Sequence, residues 1–546
     1  MELSADQGES PVETDGREEI LAAGQHLGHI VESTYGPYGM DKLLVDAVGD
    51  MSATNSGSRI LEMVEVTDPV ARMVLEACTP AGEGGDGSTF SVLLAVELLD
   101  EATELIDRGV SPVTVADGYV RARDRAAAAL EEVSVDVSPE REERYAIAKT
   151  ATAGRFTELD REHLRRVVLD VVDVLRPEDV STEALAFEED IRLGIDSSRT
   201  VRGAVVRSEV VGEAAPDTVR DASVLLLEEG VVPVRDRGDD ERLLTVDDPD
   251  DYEAFLEYDR ETVVDRAQQV IDLGADVVVS TGHLHEYATD HLNRAGVLAV
   301  HELRNEQLDR IQRAVGGETT VSTAIPGTAL GGAGQVTVSE IGSGTRPAVV
   351  FGDCDSTKIA TVIVNGGTTR VTAEARRTIA QGVAAVAATY TDPRVVPGGG
   401  AAELEAARRV EAEAEGGVGS MAVRAYADAL TAPVATLAAN AGYDPIDVLA
   451  TLRAHHDDGA VDAGVDVETG GTMRAYEMGV IEPVRSKRRA IRRATDIVTT
   501  LLRIDGILPM TGGDVMDTLG AKEAADADPG DRPDLSSGSK GGLGLG

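Results

Sequence analysis

Thr34-Tyr35-Gly36-Pro37-Tyr38-Gly39-Met40-Asp41-Lys42 joins a hydroxyl, three tight-turn residues and a lysine at the end of a helical pattern carried by Ile20, Leu21, Leu27, Ile30 and Val31. Glycine lets backbone approach an anion closely, and the N–H groups of such a turn suit phosphate oxygens. The spacing is not that of a Walker A loop, and a plain helix-to-strand turn explains the same residues. A second helix is expected over 59–78. It leads to Gly84-Gly85-Asp86-Gly87-Ser88-Thr89, which opens a long helix bearing Val92, Leu93, Val96, Leu99 and Ile106, stopped by Gly109 and Pro112. Free N–H groups at a helix start favour a phosphate, and Asp86 offers a hard oxygen to Mg2+. An Asp/Ser N-cap reads the stretch equally well.

Further out, residues 115–133 are again helical and rich in alanine. The middle of the chain differs. Short β-type runs at Val224–Leu227, Val277–Val279 and Ala348–Phe351 alternate with helical segments, which predicts an α/β region. A third glycine turn, Pro397-Gly398-Gly399-Gly400, precedes a return to helices at Ala422–Asn440, Ile446–His455 and Pro483–Leu502. The segment from Gly512 to Gly546, rich in Gly, Asp and Ser, is expected to be disordered. Helical first and last segments around an α/β middle suggest one discontinuous helical body carrying an insertion.

At 546 residues the chain suits roughly three domains of about 150 residues. Hydrophobic residues make up 42% but aromatics only 3%, so the cores must rest on Ala, Val, Leu and Ile. The 98 acidic against 51 basic residues give a net charge of −47, which repels nucleic acid. Only six lysines occur. An acidic, lysine-poor surface is expected of a protein in a salt-rich cytoplasm, where salt screens self-repulsion; an ordinary acidic protein is the alternative. Cys78 and Cys354 form no metal-type spacing and read as core residues. Met1–Asp6 is polar and no apolar run approaches ~18 residues, so a soluble cytoplasmic protein without a membrane partner is expected.

The stretch from Thr34 to Asp46 resembles the first nucleotide loop of group II chaperonins, the thermosome and eukaryotic cytosolic chaperonin family. Gly85-Asp86-Gly87-Ser88-Thr89 resembles that family's Gly-Asp-Gly-Thr-Thr. Asn365-Gly366-Gly367-Thr368, Val396–Ala401, Leu437–Pro445, Gly479–Pro483 and Leu502–Asp505 follow in family order, so the likeness runs from about residue 17 to 507.

The resemblance implies a multidomain α+β chaperonin fold. A helical equatorial domain would span 1–142 and 395–525, with a tail at 526–546. A small α/β intermediate domain would span 143–200 and 359–394, and an α/β apical domain with a built-in helical lid 201–358. The implied function is ATP-dependent folding of non-native protein in a double ring of this chain or of paralogous subunits, without a separate co-chaperonin cap. ATP or ADP would contact Thr34, Gly36, Pro37, Gly87, Ser88, Thr89, Gly399 and Glu482, with Mg2+ on Asp86. Two departures stand out. The family's two hydrolytic aspartates fall at Ser56 and Gln381, which hydrogen-bond a water but accept no proton from it at neutral pH. Catalysis is therefore expected to be impaired, and a regulatory subunit co-assembling with active paralogues is the alternative.

Thr245–Leu256 resembles the base and helix of the lid, where Tyr252, Phe255, Leu256 and Val263 form an apolar stripe suited to closure or client contact, with ordinary core packing as the alternative. His283, His285, Glu286 and His291 fit no established metal motif and read as a polar helix face.

Overall fold

A computed structural model describes residues 27–45, 51–54, 57, 60, 63, 68–79, 87–210, 215–232, 249–341 and 347–504, apart from single positions inside those spans. All but Ile504 belong to one compact unit, Leu21–Arg503. Ser56, Asp86, the expected lid base at 245–248 and the tail from 512 onward lie outside the described residues. So do the side chains of Tyr252, Phe255 and Leu256.

Among the described residues, the first segment includes an antiparallel hairpin and the helices that open at Pro69, Ser88 and Pro112. β1 (Lys42–Val45) pairs with β2 (Met51–Thr54), Lys42 opposite Thr54. The expected helix over 59–78 is not continuous. Asp68 is extended, and its carboxylate accepts from the Val70 and Ala71 N–H groups at 2.9 Å, capping α1 (Pro69–Cys78). A proline disfavours helical geometry in the residue before it and fits the first helical position, so the Asp-Pro pair starts a new helix. α2 (Ser88–Asp107) opens after Gly87, and α3 (Pro112–Val133) again starts on a proline. Both reach into the core: Val92, Leu94, Leu98, Val115 and Tyr119 are buried.

Further cores occupy the middle. β3 (Val135–Asp136) leads to α4 (Arg141–Ala151), α5 (Glu158–Val174), β4 (Leu185–Asp190) and β5 (Arg199–Val201). Next come β6 (Ala204–Arg207), β7 (Glu209–Val210), β8 (Thr218–Leu227), α6 (Pro249–Asp272), β9 (Val277–Ser280), α7 (Glu286–Arg294), β10 (Leu298–His301) and α8 (Asn305–Val315). β11 (Thr319–Thr320), β12 (Gly331–Ser339) and β13 (Ala348–Gly352) complete one sheet, ordered β6-β13-β12-β8-β9-β10-β7 with β11 beside β8.

Within that sheet β8, β9 and β10 are parallel. Side chains alternate between faces along a strand. Val224, Leu226, Val277, Val279 and Leu298 therefore meet Leu308 and Ile311 of α8 on one face. Leu225, Leu227, Val278 and Ala299 meet Val263, Ala267 and Val270 of α6 and Leu292 of α7 on the other. β14 (Ala360–Asn365) lies between β4 and β5 in a separate sheet, and α9 (Thr369–Thr391) packs with α5 in a core of Leu164, Val168, Val172, Ile379 and Val383.

The last segment runs β15 (Arg394–Pro397), α10 (Ala401–Ala412), α11 (Val418–Asn440), α12 (Pro445–Asp457), β16 (Ala463–Val465), β17 (Thr472–Arg474), β18 (Ile481–Pro483) and α13 (Val484–Leu501). Its helices pack on those of the first segment. α11 touches α2 and α3, α10 touches α3, and α13 touches α1, α2 and α3. A Cβ at Gly118 would lie 2.5 Å from the Ala422 Cβ, so only glycine permits this approach of α3 to α11. Tyr119 and Tyr426 meet edge to face at 5.4 Å; the Tyr119 hydroxyl donates to Leu98 O, and the Tyr426 hydroxyl is bonded to Thr495 Oγ1.

Candidate nucleotide site

Three glycine turns face one cavity of 960 Å³. The first, after the short 3-10 turn Glu32–Thr34, is tied by Gly39 N–H to Gly36 O and Met40 N–H to Ser33 O. Asn440, at the end of α11, clamps it by donating to the Glu32 and Tyr35 carbonyls at 2.8 and 2.9 Å. Gly36 is left-handed, φ 84°, a conformation that favours glycine. The second turn ends at Gly87, φ 75°, directly before α2. The third holds Gly399 at φ 65° and Gly400 at φ 81°, directly before α10. Gly399 O accepts from Val465 N–H of β16, and Gly398 N–H donates to Val480 O just before β18, so the turn is tied on both sides.

Antiparallel pairing of β15 with β18 sets Val396 opposite Glu482, bringing that carboxylate beside the glycines. Thr34, Gly36, Pro37, Gly87, Thr89, Gly399 and Glu482 all line the cavity. Ser88 does not; it is buried at the start of α2. Gln381, from the interior of α9, also lines the cavity, as do Arg161 and Arg165 of α5. Gly382 lets α9 sit tightly on α5, since a Cβ there would meet Val168 Cγ2 at 2.7 Å. Ser56 lies outside the described residues; its neighbour Gly57 lies against α2, where a Cβ on it would meet Thr89 Oγ1 at 2.2 Å.

Sequence reasoning missed the electrostatic floor of the site. Lys487 of α13 is buried and ion-pairs with Glu403 of α10, with Glu482 Oε2 at 3.0 Å and the Phe90 ring centroid 4.8 Å away. Burial pulls the Lys487 ammonium towards lower pKa, but Glu403 and Glu482 outweigh it, and the lysine is held well above its usual range. Lys149, whose ammonium donates to Met478 O, also lines the cavity. Two of only six lysines thus serve this one site; scarcity of lysine in so acidic a chain was the available signal. The Lys149 ammonium, and φ-positive glycines at two helix starts, are what a polyphosphate requires. The described residues fit that group.

The sequence model of the TCP-1/cpn60 chaperonin family matches residues 27–511. "Thermosome subunit 1" of Haloferax volcanii is 36% identical over 535 residues, covering 96% of this chain and 94% of its own. "Thermosome subunit alpha" of Halobacterium salinarum is 36% identical, covering 93% and 91%, and "Thermosome subunit" of Methanopyrus kandleri is 35% identical, covering 90% and 92%. The chain belongs to the TCP-1/cpn60 chaperonin family, in its group II, thermosome-type branch. Among the described residues no helix is long and apolar enough to cross a membrane.

Proposed function

We propose that this chain is an ATP-binding subunit of a cytoplasmic chaperonin double ring that holds and folds non-native protein, and that it hydrolyses nucleotide slowly. The observation that carries this reading is the 960 Å³ cavity where Gly36, Gly87 and Gly399 meet Lys487 and Gln381. Turn N–H groups at Gly36 and Gly87 hold phosphate oxygens, and Glu482 lies toward the ribose. Asp86 would supply a carboxylate to Mg2+, whose charge would neutralise the phosphates. Gln381 orients a water by hydrogen bonding but does not take its proton, and Ser56 has the same limit.

The domain partition belongs to the same proposal: equatorial 1–142 and 395–525, intermediate 143–200 and 359–394, apical 201–358. α6 then forms part of the lid, its Tyr252, Phe255 and Leu256 stripe meeting neighbouring lids or client, and no separate cap is needed. The acidic, lysine-poor composition suits assembly in molar salt.

General base catalysis is worth about 10²–10⁴-fold. Rings of the purified chain in molar salt should bind ATP, yet turn it over slower than a thermosome carrying both aspartates by at least the lower end of that range. Ser56→Asp with Gln381→Asp should raise turnover more than either change alone. Turnover at the rate of intact relatives would sink the impaired-site reading. Gln381 on the cavity wall favours one second reading, a regulatory subunit working beside active paralogues. Mixed rings whose ATPase changes on adding this chain would select it.

A further inference from the structure

Parallel strands β9 and β10 run side by side, Val279 opposite Val300, so the loops leaving their C-terminal ends are neighbours. Both loops are fixed. Leu303 N–H donates to Ser280 O at 3.2 Å and Glu302 N–H to Gly282 O at 3.4 Å. Gly282 sits so close to Gly230 that a Cβ would fall 2.1 Å from the Gly230 nitrogen. Ser208 Oγ donates to His301 O at 2.5 Å, pinning the end of β10. On this frame three side chains meet. His283 Nδ1 lies 3.4 Å from Glu302 Oε1, and the His283 and His301 rings are 5.3 Å apart at 72°. One ligand atom from each of the three lies within 4.8 Å of the others. Glu302 adopts φ 57°, uncommon for a residue with a side chain.

We propose that His283, His301 and Glu302 bind a divalent first-row transition metal ion, of which Zn2+ is the type. Zinc takes imidazole nitrogen and carboxylate oxygen at about 2.0–2.2 Å, which places tetrahedral ligand atoms about 3.3 Å apart. The separations present require only a modest closing of side chains about an anchored backbone. Two imidazoles discriminate against Mg2+ and Ca2+, which prefer oxygen. Three protein ligands leave one position open. The strongly acidic chain raises the local concentration of any cation.

The histidines nearer in sequence do not join. His285 Nδ1 accepts from Tyr287 N–H as the cap of α7, and His291 is bonded to Gln268 of α6.

The test uses the full chain, stripped with chelator and held in molar salt with excess Mg2+, so that the general acidic surface is already occupied. Calorimetric titration with Zn2+ should show one saturable site per chain, and Co2+ should give the visible bands of a low-symmetry nitrogen and oxygen environment. His283 and Glu302 are exposed, so His283→Ala and Glu302→Gln should fold with unchanged circular dichroism. Each should weaken Zn2+ by at least the 10–100-fold that loss of a mere supporting contact costs at about such sites. Zinc should also raise the thermal midpoint of the wild type and not of His283→Ala. The proposal falls if no saturable site appears, if both variants keep wild-type affinity, or if His285→Ala with His291→Ala abolishes binding instead.

Discussion

Glu403 and Glu405 stand two residues apart on α10, both buried, yet they are neutralised in opposite ways. Among the described residues Glu403 relies on one cation, Lys487, itself buried and shared with Glu482. Its Oε2 has no hydrogen-bond partner among the described residues. Glu405 has three partners. Oε1 accepts from Arg408 at 2.7 Å and Arg409 at 2.6 Å, and Oε2 lies 3.0 Å from His456 Nδ1. The far ring nitrogen of His456 lies 2.8 Å from Ala463 O, in the strand whose Val465 supports Gly399. The ring thus bridges the buried carboxylate and a backbone carbonyl. The comparison teaches that burial alone does not set the worth of a carboxylate; redundancy of its partners does.

The harshest way to break the comparison is Lys487→Met. It strands one buried carboxylate and leaves Glu482 beside it, and an orphaned partner of a buried pair costs about 3–5 kcal/mol. Denaturant unfolding in molar salt should show this loss. Adding Glu403→Gln should recover part of it, because a neutral amide tolerates burial better than an unpaired anion. A double variant no more stable than Lys487→Met alone would show that Glu403 is not the group Lys487 neutralises.

Glu405→Gln should cost less, about 1.5–3 kcal/mol at neutral pH, the range for hydrogen bonds to a charged group. Its pH dependence sharpens the point. Burial alone would raise the Glu405 carboxyl, but hydrogen bonds from His456 and Arg408 outweigh it and hold it below the usual range. A depressed folded pKa gives stability that is complete above the unfolded value, about 4.3, and is lost as pH falls through the folded one. The gap between wild type and Glu405→Gln should therefore be widest near neutrality and shrink in acid. A gap that grows below pH ~4 would reverse that sign.

These buried pairs were the part least legible in the sequence. Helical first and last segments and an α/β middle showed through periodicity, and the glycine turns through residues that few other conformations require. The break at Asp68 was written in its Asp-Pro pair, but a continuous apolar pattern masked it. Lys487 meets Glu403 from a position 84 residues away, and charged residues on helices usually read as solvated faces. His301 and Glu302 joined His283 only because a parallel sheet aligns two strand ends; sequence spacing pointed instead to His285, Glu286 and His291. Each missed contact is tertiary, made by residues whose local sequence is indifferent to it.

Arg408→Ala probes redundancy at its weakest point. Arg408 is 43% exposed, Arg409 22%, while their shared partner Glu405 is fully buried. Removing Arg408 leaves the carboxylate with Arg409 and His456, so no buried charge is orphaned. The half-exposed guanidinium gives up hydrogen bonds to an anion that keeps two other partners, a loss of about 0.5–1.5 kcal/mol, below that of Lys487→Met. Lys487→Met removes a single cation as well, so the two variants differ chiefly in what remains around the anion. If Arg408→Ala proved as damaging as Lys487→Met, the remaining partners would be contributing little. Redundancy would then be excluded as the protection of Glu405, and its stability would depend on a guanidinium at the surface.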